Sequence, residues 1–372
     1  MSNLKTPPFT FDIVGSFLRP AYLKEARANF AAGRISREEL TATEDRAISE
    51  LVHKEKEIGL KAVTDGEFRR TMWHLDFLEE LRNVEHVDTA HWSVEFKGPK
   101  PKGAQLEFTG KIAFGEHPFL EHFRKLQEIT GNHLVKQTIP SPSMLHLIPC
   151  IRGKESYRPI ERYQDESNLY DDIVETYQDA IRAFYNLGCR YLQFDDTSWG
   201  EFCDVEKRAA YEALGIDLNK VAHDYVDCIN RILASKPADM TITTHICRGN
   251  FRSTWFSSGG YDPVAEILFQ ANYDGFFLEY DSDRSGDFAP LAHAGNRIVV
   301  LGLLTSKFPE LEDENAIIAR IHEAEKYLPL EQLRLSTQCG FSSTEEGNVM
   351  TEDEQWAKLA HVKRIAEKVW GN

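Results

Sequence analysis

The sequence has few cysteines, no long apolar run and no excess of positive charge. Its six cysteines are scattered over 372 residues, without the dense spacing of a disulfide scaffold. No stretch approaches the roughly 18 apolar residues of a membrane-spanning helix, and the N-terminus lacks the basic and apolar regions of a signal peptide. These absences predict a cytoplasmic protein with reduced cysteines.

Acidic side chains outnumber basic ones along the chain. The sequence contains 59 Asp and Glu against 43 Lys and Arg, which gives a formal charge of -16. A charge of this sign repels nucleic-acid phosphates and anionic lipid. We therefore expect no nucleic-acid partner and no membrane partner, and we expect a small-molecule substrate.

Short apolar runs alternate with longer amphipathic segments from one end of the chain to the other. This alternation is typical of βα units around a parallel sheet, and no GxGxxG turn follows the first run, as a doubly wound nucleotide-binding sheet would require. The sequence therefore predicts an α/β fold, a single (β/α)8 TIM-barrel domain over residues 1–372. The eight predicted strands are residues 11–16, 60–66, 134–139, 190–196, 240–247, 275–281, 297–303 and 333–339.

The chain is longer than the roughly 250 residues of a typical barrel. We assign the additional residues to extra N-terminal helices and to an insertion after strand 2, at about residues 84–116. Within this insertion, residues 93–99 and 105–114 alternate in polarity on either side of the turn-forming residues 99–103. That pattern predicts a β hairpin.

Metal-binding residue types collect where the predicted strands end. His245 and Cys247 are two residues apart on one strand, so their side chains point the same way. Glu279 ends the next strand and Cys339 ends the last. Active sites of barrels lie at the C-terminal ends of the strands, so we expect these four residues to converge as zinc ligands.

The predicted ligand set indicates a particular chemistry. A structural zinc site is the alternative, but such sites usually use closed sets of cysteine and histidine on short knuckles. Zinc lowers the pKa of a coordinated thiol until the thiol is a thiolate at neutral pH. Two cysteine thiolates and a carboxylate leave the centre anionic, which favours alkylation of a substrate thiol over attack by metal-bound water.

Acidic residues follow two other predicted strands. Asp65 and Glu67 lie after the second strand, and Asp195 and Asp196 end the fourth. One interpretation is helix capping or ion pairing with neighbouring arginines. The other is capture of the ammonium group of an amino-acid thiol, whose carboxylate would bind at Gly15-Ser16.

These motifs resemble the C-terminal catalytic barrel of cobalamin-independent methionine synthase, in its short single-barrel form. The set His245-x-Cys247, Glu279 and Cys339 is similar to the zinc ligands of that family in type and order. Further matches are similar to the homocysteine-binding I-G-S segment, the G-E motif and the D-E-P-A-L-R-E motif; they are Val14-Gly15-Ser16, Gly66-Glu67 and residues 195–201.

The resemblance implies a zinc-dependent methyltransferase that acts on the thiol of L-homocysteine. It implies that Val14, Gly15 and Ser16 bind homocysteine and that Glu67 and Asp195 hold its amine. It also implies that Glu201 contacts folate.

The donor side departs from the family pattern. Thr305 stands where the family has its catalytic histidine, and a neutral threonine cannot act as a general acid. His146 is either a substitute acid or an ordinary loop histidine. The methyl donor is therefore left open between methyltetrahydrofolate, another methylated small molecule and a methyl-corrinoid protein. Two other functions also stay open, namely a zinc hydrolase or decarboxylase, and a thiol-binding protein that has lost catalysis.

Overall fold

A computed structural model describes residues 6–88, 96–98 and 104–371. Nine strands lie within these ranges: β1 Ala62–Val63, β2 Arg82–Asp88, β3 Ala104–Ala113, β4 Leu134–Pro140, β5 Tyr191–Asp196, β6 Thr241–Ile246, β7 Gly275–Glu279, β8 Ile298–Leu304 and β9 Leu333–Thr337. The same ranges contain twelve α-helices: α1 Ala21–Ala31, α2 Arg37–Ile58, α3 Leu75–Leu78, α4 Pro118–Thr130, α5 Ser143–His146, α6 Glu166–Asn186, α7 Ser198–Cys203, α8 Val205–Ala213, α9 Leu218–Leu233, α10 Ala265–Leu268, α11 Glu314–Ala324 and α12 Glu352–Trp370. A short π-helix, Leu147–Arg152, continues α5.

Seven of the strands form one curled parallel sheet in the order β1-β4-β5-β6-β7-β8-β9. Each strand pairs with the next one along the chain within this sheet, and helices lie between consecutive strands. Sequential parallel order with intervening helices is the arrangement of a (β/α) barrel. The predicted α/β barrel-type fold is confirmed.

The first predicted strand, residues 11–16, is not a regular strand. Phe11 makes a single parallel bridge to Leu335 of β9, and the N–H of Phe17 donates to the carbonyl oxygen of Gly66 at 3.1 Å. The segment thus bridges the two edges of the sheet, β9 and β1. Within and before this segment, the Asp12 carboxylate accepts from two backbone N–H groups, those of Phe9 at 3.0 Å and Ile13 at 2.8 Å.

The insertion contains an antiparallel pair of strands, β2 and β3. Strand β3, which overlaps the predicted strand 105–114, pairs with β2, residues 82–88. Of the predicted strand 93–99, only residues 96–98 are described, and they are not in a strand. The predicted turn at 99–103 lies outside the described residues.

Two helices, α1 and α2, precede the sheet. Helix α2 begins with a capping box in which the Ser36 side chain accepts from the N–H of Glu39, and it ends at Gly59, whose φ is +91°. A glycine adopts this left-handed conformation without the steric cost of a Cβ atom. Among the described residues, no helix is both long and apolar enough to cross a membrane.

Candidate metal centre and substrate cavities

Four predicted ligands lie together at the C-terminal ends of the barrel strands. His245 is in β6, Cys247 follows that strand, Glu279 ends β7 and Cys339 comes two residues after β9. All four are buried, and one ligand atom from each lies within 4.8 Å of the others. The parallel register of the sheet brings these residues together, although His245 and Cys339 are 94 positions apart in the sequence.

The donor set fits a tetrahedral zinc ion. The Sγ atoms of Cys247 and Cys339 are 3.8 Å apart, and two sulfurs at a Zn–S distance of ~2.3 Å in tetrahedral geometry are also separated by ~3.8 Å. Both ring nitrogens of the buried His245 lack a hydrogen-bond partner. A buried imidazole without a partner is costly, and a metal would satisfy one of its nitrogens.

The two thiols have opposite acidities. A hydrogen bond between them holds the pKa of the Cys339 thiol well below its ordinary value and raises that of Cys247 well above. One thiolate therefore forms readily, and the second proton is retained until a cation replaces it. This is the behaviour expected of a pair that binds a metal with proton release.

The carboxylate of Glu279 is held in place by two donors. Its Oε1 accepts from the backbone N–H of Arg248 at 3.0 Å, and its Oε2 accepts from the guanidinium of Arg284 at 2.6 Å. Arg284 also pairs with Asp281 at 2.8 Å. Contacts of this kind orient a metal ligand from behind.

A small cavity opens onto three of the four predicted ligands. We call it the thiol cavity. Its lining combines metal-ligand, acidic and hydroxyl side chains, together with one tryptophan; the residues are Val14, Ser16, Glu67, Trp73, Asp195, His245, Cys247, Cys339 and Ser343. The structure thus brings four of the six predicted substrate-binding residues, Val14, Ser16, Glu67 and Asp195, beside the predicted metal ligands.

The backbone conformation of Gly15 shapes the part of the thiol cavity that Val14 and Ser16 line. Its φ is +145°, and a Cβ atom added there would lie 2.8 Å from Cγ2 of Thr138. Any other residue at this position would therefore displace the segment that carries Val14 and Ser16.

Two buried carboxylates face the thiol cavity. Burial raises the pKa of Asp195 to about 7, and one of its oxygens accepts from the Gln193 amide at 2.7 Å. Burial also raises the pKa of Glu67, whose Oε1 is 3.1 Å from Arg70 and whose buried Oε2 lacks a partner. Both proposed interpretations of Glu67 therefore have support, because it forms an ion pair and still presents a free oxygen.

Asp196 has a structural role. One of its oxygens accepts from the Ser198 N–H at 2.7 Å, at the start of α7, and the other accepts from the Ser143 hydroxyl at 2.6 Å. Asp65 likewise accepts from the N–H of Glu67 at 2.8 Å. For these two residues the turn-capping interpretation accounts for the contacts.

The side chains of Glu201, Thr305 and His146 do not line the thiol cavity. Glu201 is buried and binds Arg152 and the hydroxyl of Tyr211. Thr305 donates its backbone N–H to Glu312 at 2.8 Å. His146 is buried between the Tyr225 hydroxyl at 2.9 Å and Glu166 at 3.1 Å.

A second small cavity adjoins the first. We call it the aromatic cavity. Trp73, Cys247 and Ser343 line both cavities, and the other residues of the aromatic cavity are Met72, His74, Phe96, Arg152, Thr197, Gly249, Asn250, Phe251, Phe256 and Thr344. Sequence reasoning missed these residues, apart from Thr197 in the 195–201 motif, because most lie in loops after the strand ends, where no periodic pattern marks them. Only Trp73-His74, which follow the Gly66-Glu67 motif closely, carried a usable signal.

The fold and the site define a class of protein, an α/β barrel with a candidate metal centre of two cysteines, a histidine and a glutamate at the C-terminal ends of its strands. The family model described as the catalytic domain of cobalamin-independent synthase matches residues 9–367. The chain belongs to this family, which confirms the resemblance seen in its motifs.

The names of individual relatives differ in how specifically they describe an activity. The uncharacterized protein YxjH of Bacillus subtilis (strain 168) is 50% identical over 366 residues, which cover 98% of this chain and 95% of that protein. A crystal structure from Listeria monocytogenes, described provisionally as a vitamin-B12-independent methionine synthase, is 45% identical with a TM-score of 0.78 and covers 98% of this chain and 99% of that one. The 5-methyltetrahydropteroyltriglutamate–homocysteine methyltransferase of Syntrophotalea carbinolica is 22% identical over 343 residues, which cover 91% of this chain and 41% of that protein.

Proposed function

We propose that this protein is a zinc-dependent methyltransferase that transfers a methyl group to the thiol of L-homocysteine. The observation that carries the proposal is that one cavity, the thiol cavity, is lined both by the carboxylates of Asp195 and Glu67 and by residues of the metal-ligand cluster. A molecule with an ammonium group at one end and a thiol at the other matches this arrangement. Membership of the methionine synthase family and the homocysteine methyltransferase relative support the same reaction class.

The residues of the chain have distinct roles in this proposal. His245, Cys247, Glu279 and Cys339 hold zinc, which when bound lowers the pKa of the substrate thiol so that it reacts as a thiolate. Asp195 and Glu67 bind the substrate ammonium by charge-assisted hydrogen bonds.

Ser16 is suited to the substrate carboxylate. Its Oγ accepts from the backbone N–H of Ser342 at 3.2 Å, which leaves the hydroxyl hydrogen free to donate. The substrate is thus held at both charged groups of its amino-acid end, and the thiol is left to point toward Cys247 and Cys339.

The first test measures homocysteine binding at the metal. Adding L-homocysteine to the zinc-loaded protein should raise the sulfur count at zinc and shift the zinc absorption edge. An unchanged edge at saturating homocysteine would contradict the proposal and favour a zinc hydrolase or decarboxylase. A shifted edge without methyl transfer from any donor would indicate a thiol-binding protein without catalysis.

The Asp195→Asn variant tests the amine site within the same experiment. Loss of one charge-assisted hydrogen bond should weaken homocysteine binding on the order of 10- to 100-fold, while the zinc content stays at one per chain. Asp227→Asn is the matched control, because Asp227 is exposed on α9 and lies outside the cavity. Equal homocysteine affinity in the two variants would remove Asp195 from the proposed site.

A further inference from the structure

We propose that the methyl donor is a small zwitterion, a methyl-onium group carrying a carboxylate, and that it binds in the aromatic cavity beside Cys247. Methylsulfonium acids and fully methylated ammonium acids share this chemistry. The inference rests on the proposed methyltransferase function and specifies its second substrate.

The walls of the aromatic cavity are suited to an onium cation. Trp73, Phe96, Phe251 and Phe256 line it, and the ring of Phe96 packs edge-on against Phe251 and Phe256, with centroids 5.7 and 5.1 Å apart. Several aromatic rings around one small space attract onium methyl groups through the negative potential of the ring faces. The net charge of -16 also favours a cation over an anion.

Two uncharged polar groups in the same lining complement a positive ligand. Asn250 Oδ1 and His74 Nδ1 are buried and lack hydrogen-bond partners. Burial, assisted by the positive charge of Arg152, lowers the pKa of His74 to about 3, so its ring is neutral at physiological pH. An amide oxygen and a neutral imidazole add partial negative charge to the cavity without an ion pair.

Arg152 provides a site for the donor carboxylate. Its Nε binds Glu201 and its Nη2 binds the Thr197 hydroxyl, and Nη1 takes part in neither of these bonds. Two cations lie near Phe256 at this end of the cavity, because the guanidinium of Arg152 is 5.9 Å and Lys207 Nζ is 5.2 Å from the centroid of its ring. A zwitterion can therefore place its carboxylate at Arg152 and its onium group among the rings.

The reaction of an onium donor also matches the proton chemistry of the site. Transfer from a tertiary amine such as methyltetrahydrofolate requires an acid to protonate the leaving nitrogen. Among the described residues of the aromatic cavity, the titratable groups are the neutral His74, the ion-paired Arg152 and the metal ligand Cys247. Thr305, where the family has its histidine, cannot supply a proton.

An onium donor needs no proton on its leaving group. The substrate thiol loses its proton to solvent, and the thiolate sulfur then attacks the methyl carbon and forms an S–CH3 bond. The bond from that carbon to the onium sulfur or nitrogen breaks, and its electron pair goes to the leaving atom. The leaving atom becomes an uncharged thioether sulfur or tertiary amine nitrogen on a molecule that keeps its carboxylate, so the products are methionine, that carboxylate and one proton.

The first experiment separates cation recognition from simple apolar binding. Glycine betaine and its uncharged-headgroup analogue 3,3-dimethylbutanoate have the same shape and the same carboxylate. We expect the zinc-loaded full chain to bind the betaine more tightly in calorimetry. Equal binding, or tighter binding of 3,3-dimethylbutanoate, would overturn the proposal.

The second experiment identifies the donor by turnover. Zinc-loaded protein and homocysteine are combined with S-methylmethionine, dimethylsulfonioacetate, glycine betaine, 5-methyltetrahydrofolate or methylcobalamin, each labelled with 13C in the methyl group, and labelled methionine is measured. Labelled methionine from a sulfonium or ammonium acid supports the proposal, and the two arms distinguish these sources. Methionine from the folate or the corrinoid alone overturns it while the proposed methyltransferase function stands. Homocysteine binding without turnover of any donor also overturns it.

A variant pair tests the cavity itself. Phe256→Leu removes one ring and keeps a similar apolar volume, so the KM for the onium donor should rise on the order of 10-fold, while homocysteine affinity is retained. Phe256→Tyr keeps the ring and should keep the KM of the parent protein within about twofold. Thermal unfolding of both variants checks that they fold. A leucine variant with an unchanged KM would place the donor elsewhere.

Discussion

Neighbouring side chains in this protein have very different surroundings. Asp195 and Asp196 are consecutive in β5, yet Asp195 faces the thiol cavity and Asp196 accepts hydrogen bonds from Ser143 and Ser198. The cause is the alternation of side chains along a strand, which turns successive residues to opposite faces of the sheet. The sequence places both carboxylates at one strand end, and the pleat turns only one of them into the thiol cavity.

At the same scale, His117 is predicted to make stability depend on pH. Its Nε2 is 3.0 Å from the carbonyl oxygen of Phe77, and its Nδ1 accepts from the N–H of Phe119 at the start of α4. Burial lowers its pKa from 6.5 to about 4. The unfolded chain therefore takes up a proton on this ring below pH ~6.5, whereas the folded protein resists protonation until pH ~4.

The contribution of His117 is complete above pH ~6.5 and decreases as the pH falls toward ~4. Between pH 7 and pH 5 the folded state should lose about 2 kcal/mol through this one group. Urea unfolding at the two pH values measures the loss, which should be smaller in His117→Asn. His53→Asn, a change at an exposed position of α2, should retain the full pH dependence; equal slopes in all three proteins would contradict the prediction.

At the scale of elements, the barrel depends on a segment that is not a regular strand. Residues 10–17 link β9 to β1 through backbone hydrogen bonds, and buried Asp12 organises the segment. In addition to two backbone N–H groups, its carboxylate accepts from the Tyr191 hydroxyl at 2.9 Å and from Lys136 Nζ at 3.2 Å. Closure of the barrel at this segment thus relies on a buried ion pair as well as on backbone hydrogen bonds.

Removing one partner of this pair should destabilise the protein strongly. Asp12→Asn keeps an acceptor for the backbone but leaves the ammonium of Lys136, which is fully buried, without a counter-charge. The expected loss is about 3–5 kcal/mol in the free energy of unfolding, measured by urea denaturation. Adding Lys136→Met to Asp12→Asn should recover part of this loss because the unpaired charge is then removed. A double variant as unstable as the sum of the two single variants would show that the ion pair is not responsible.

At the scale of the whole molecule, the candidate metal centre joins strands from the second half of the barrel. Its four residues come from β6, β7 and the segments after β6 and β9, and three of the four can carry negative charge within 4.8 Å of one another. Without a bound cation, the negative charge of this group is balanced by protons and by the guanidinium of Arg284. We therefore expect metal binding to be coupled to the stability of the barrel.

Zinc should stabilise the folded protein and chelation should reverse the effect. At free zinc of 100 times its Kd, the expected gain is about 2.7 kcal/mol in the free energy of unfolding, measured by thermal or urea unfolding with and without a chelator. Cys339→Ser should lose most of this gain because it removes a soft ligand. Cys228→Ser, at another buried cysteine in α9, should retain it. An equal zinc effect in both variants would exclude Cys339 as a ligand.

Much of the fold and of the metal centre was predictable from local patterns. Alternating apolar runs and amphipathic segments predict the parallel barrel-type sheet, because the burial of strands and helices has a characteristic sequence period. The spacing of His245 and Cys247 predicts two ligands on one face, because side chains alternate along a strand. The pairing of β3 with residues 82–88 was not predicted, because alternation of polarity alone does not select which segment pairs with a strand.

Side-chain patterns along the sequence thus determined the α/β class, the residues of the candidate metal centre and the acidic strand ends, since each depends on neighbours close in the chain. Only the tertiary structure decided which of these residues share a cavity. It placed Asp195 and Glu67 beside the ligands, sequestered Glu201 with Arg152 and Tyr211, and brought Trp73, Phe96 and Phe256 together from three distant segments. The physical reason is that loop paths between strands, which carry no fixed period, set the distances across the mouth of a barrel.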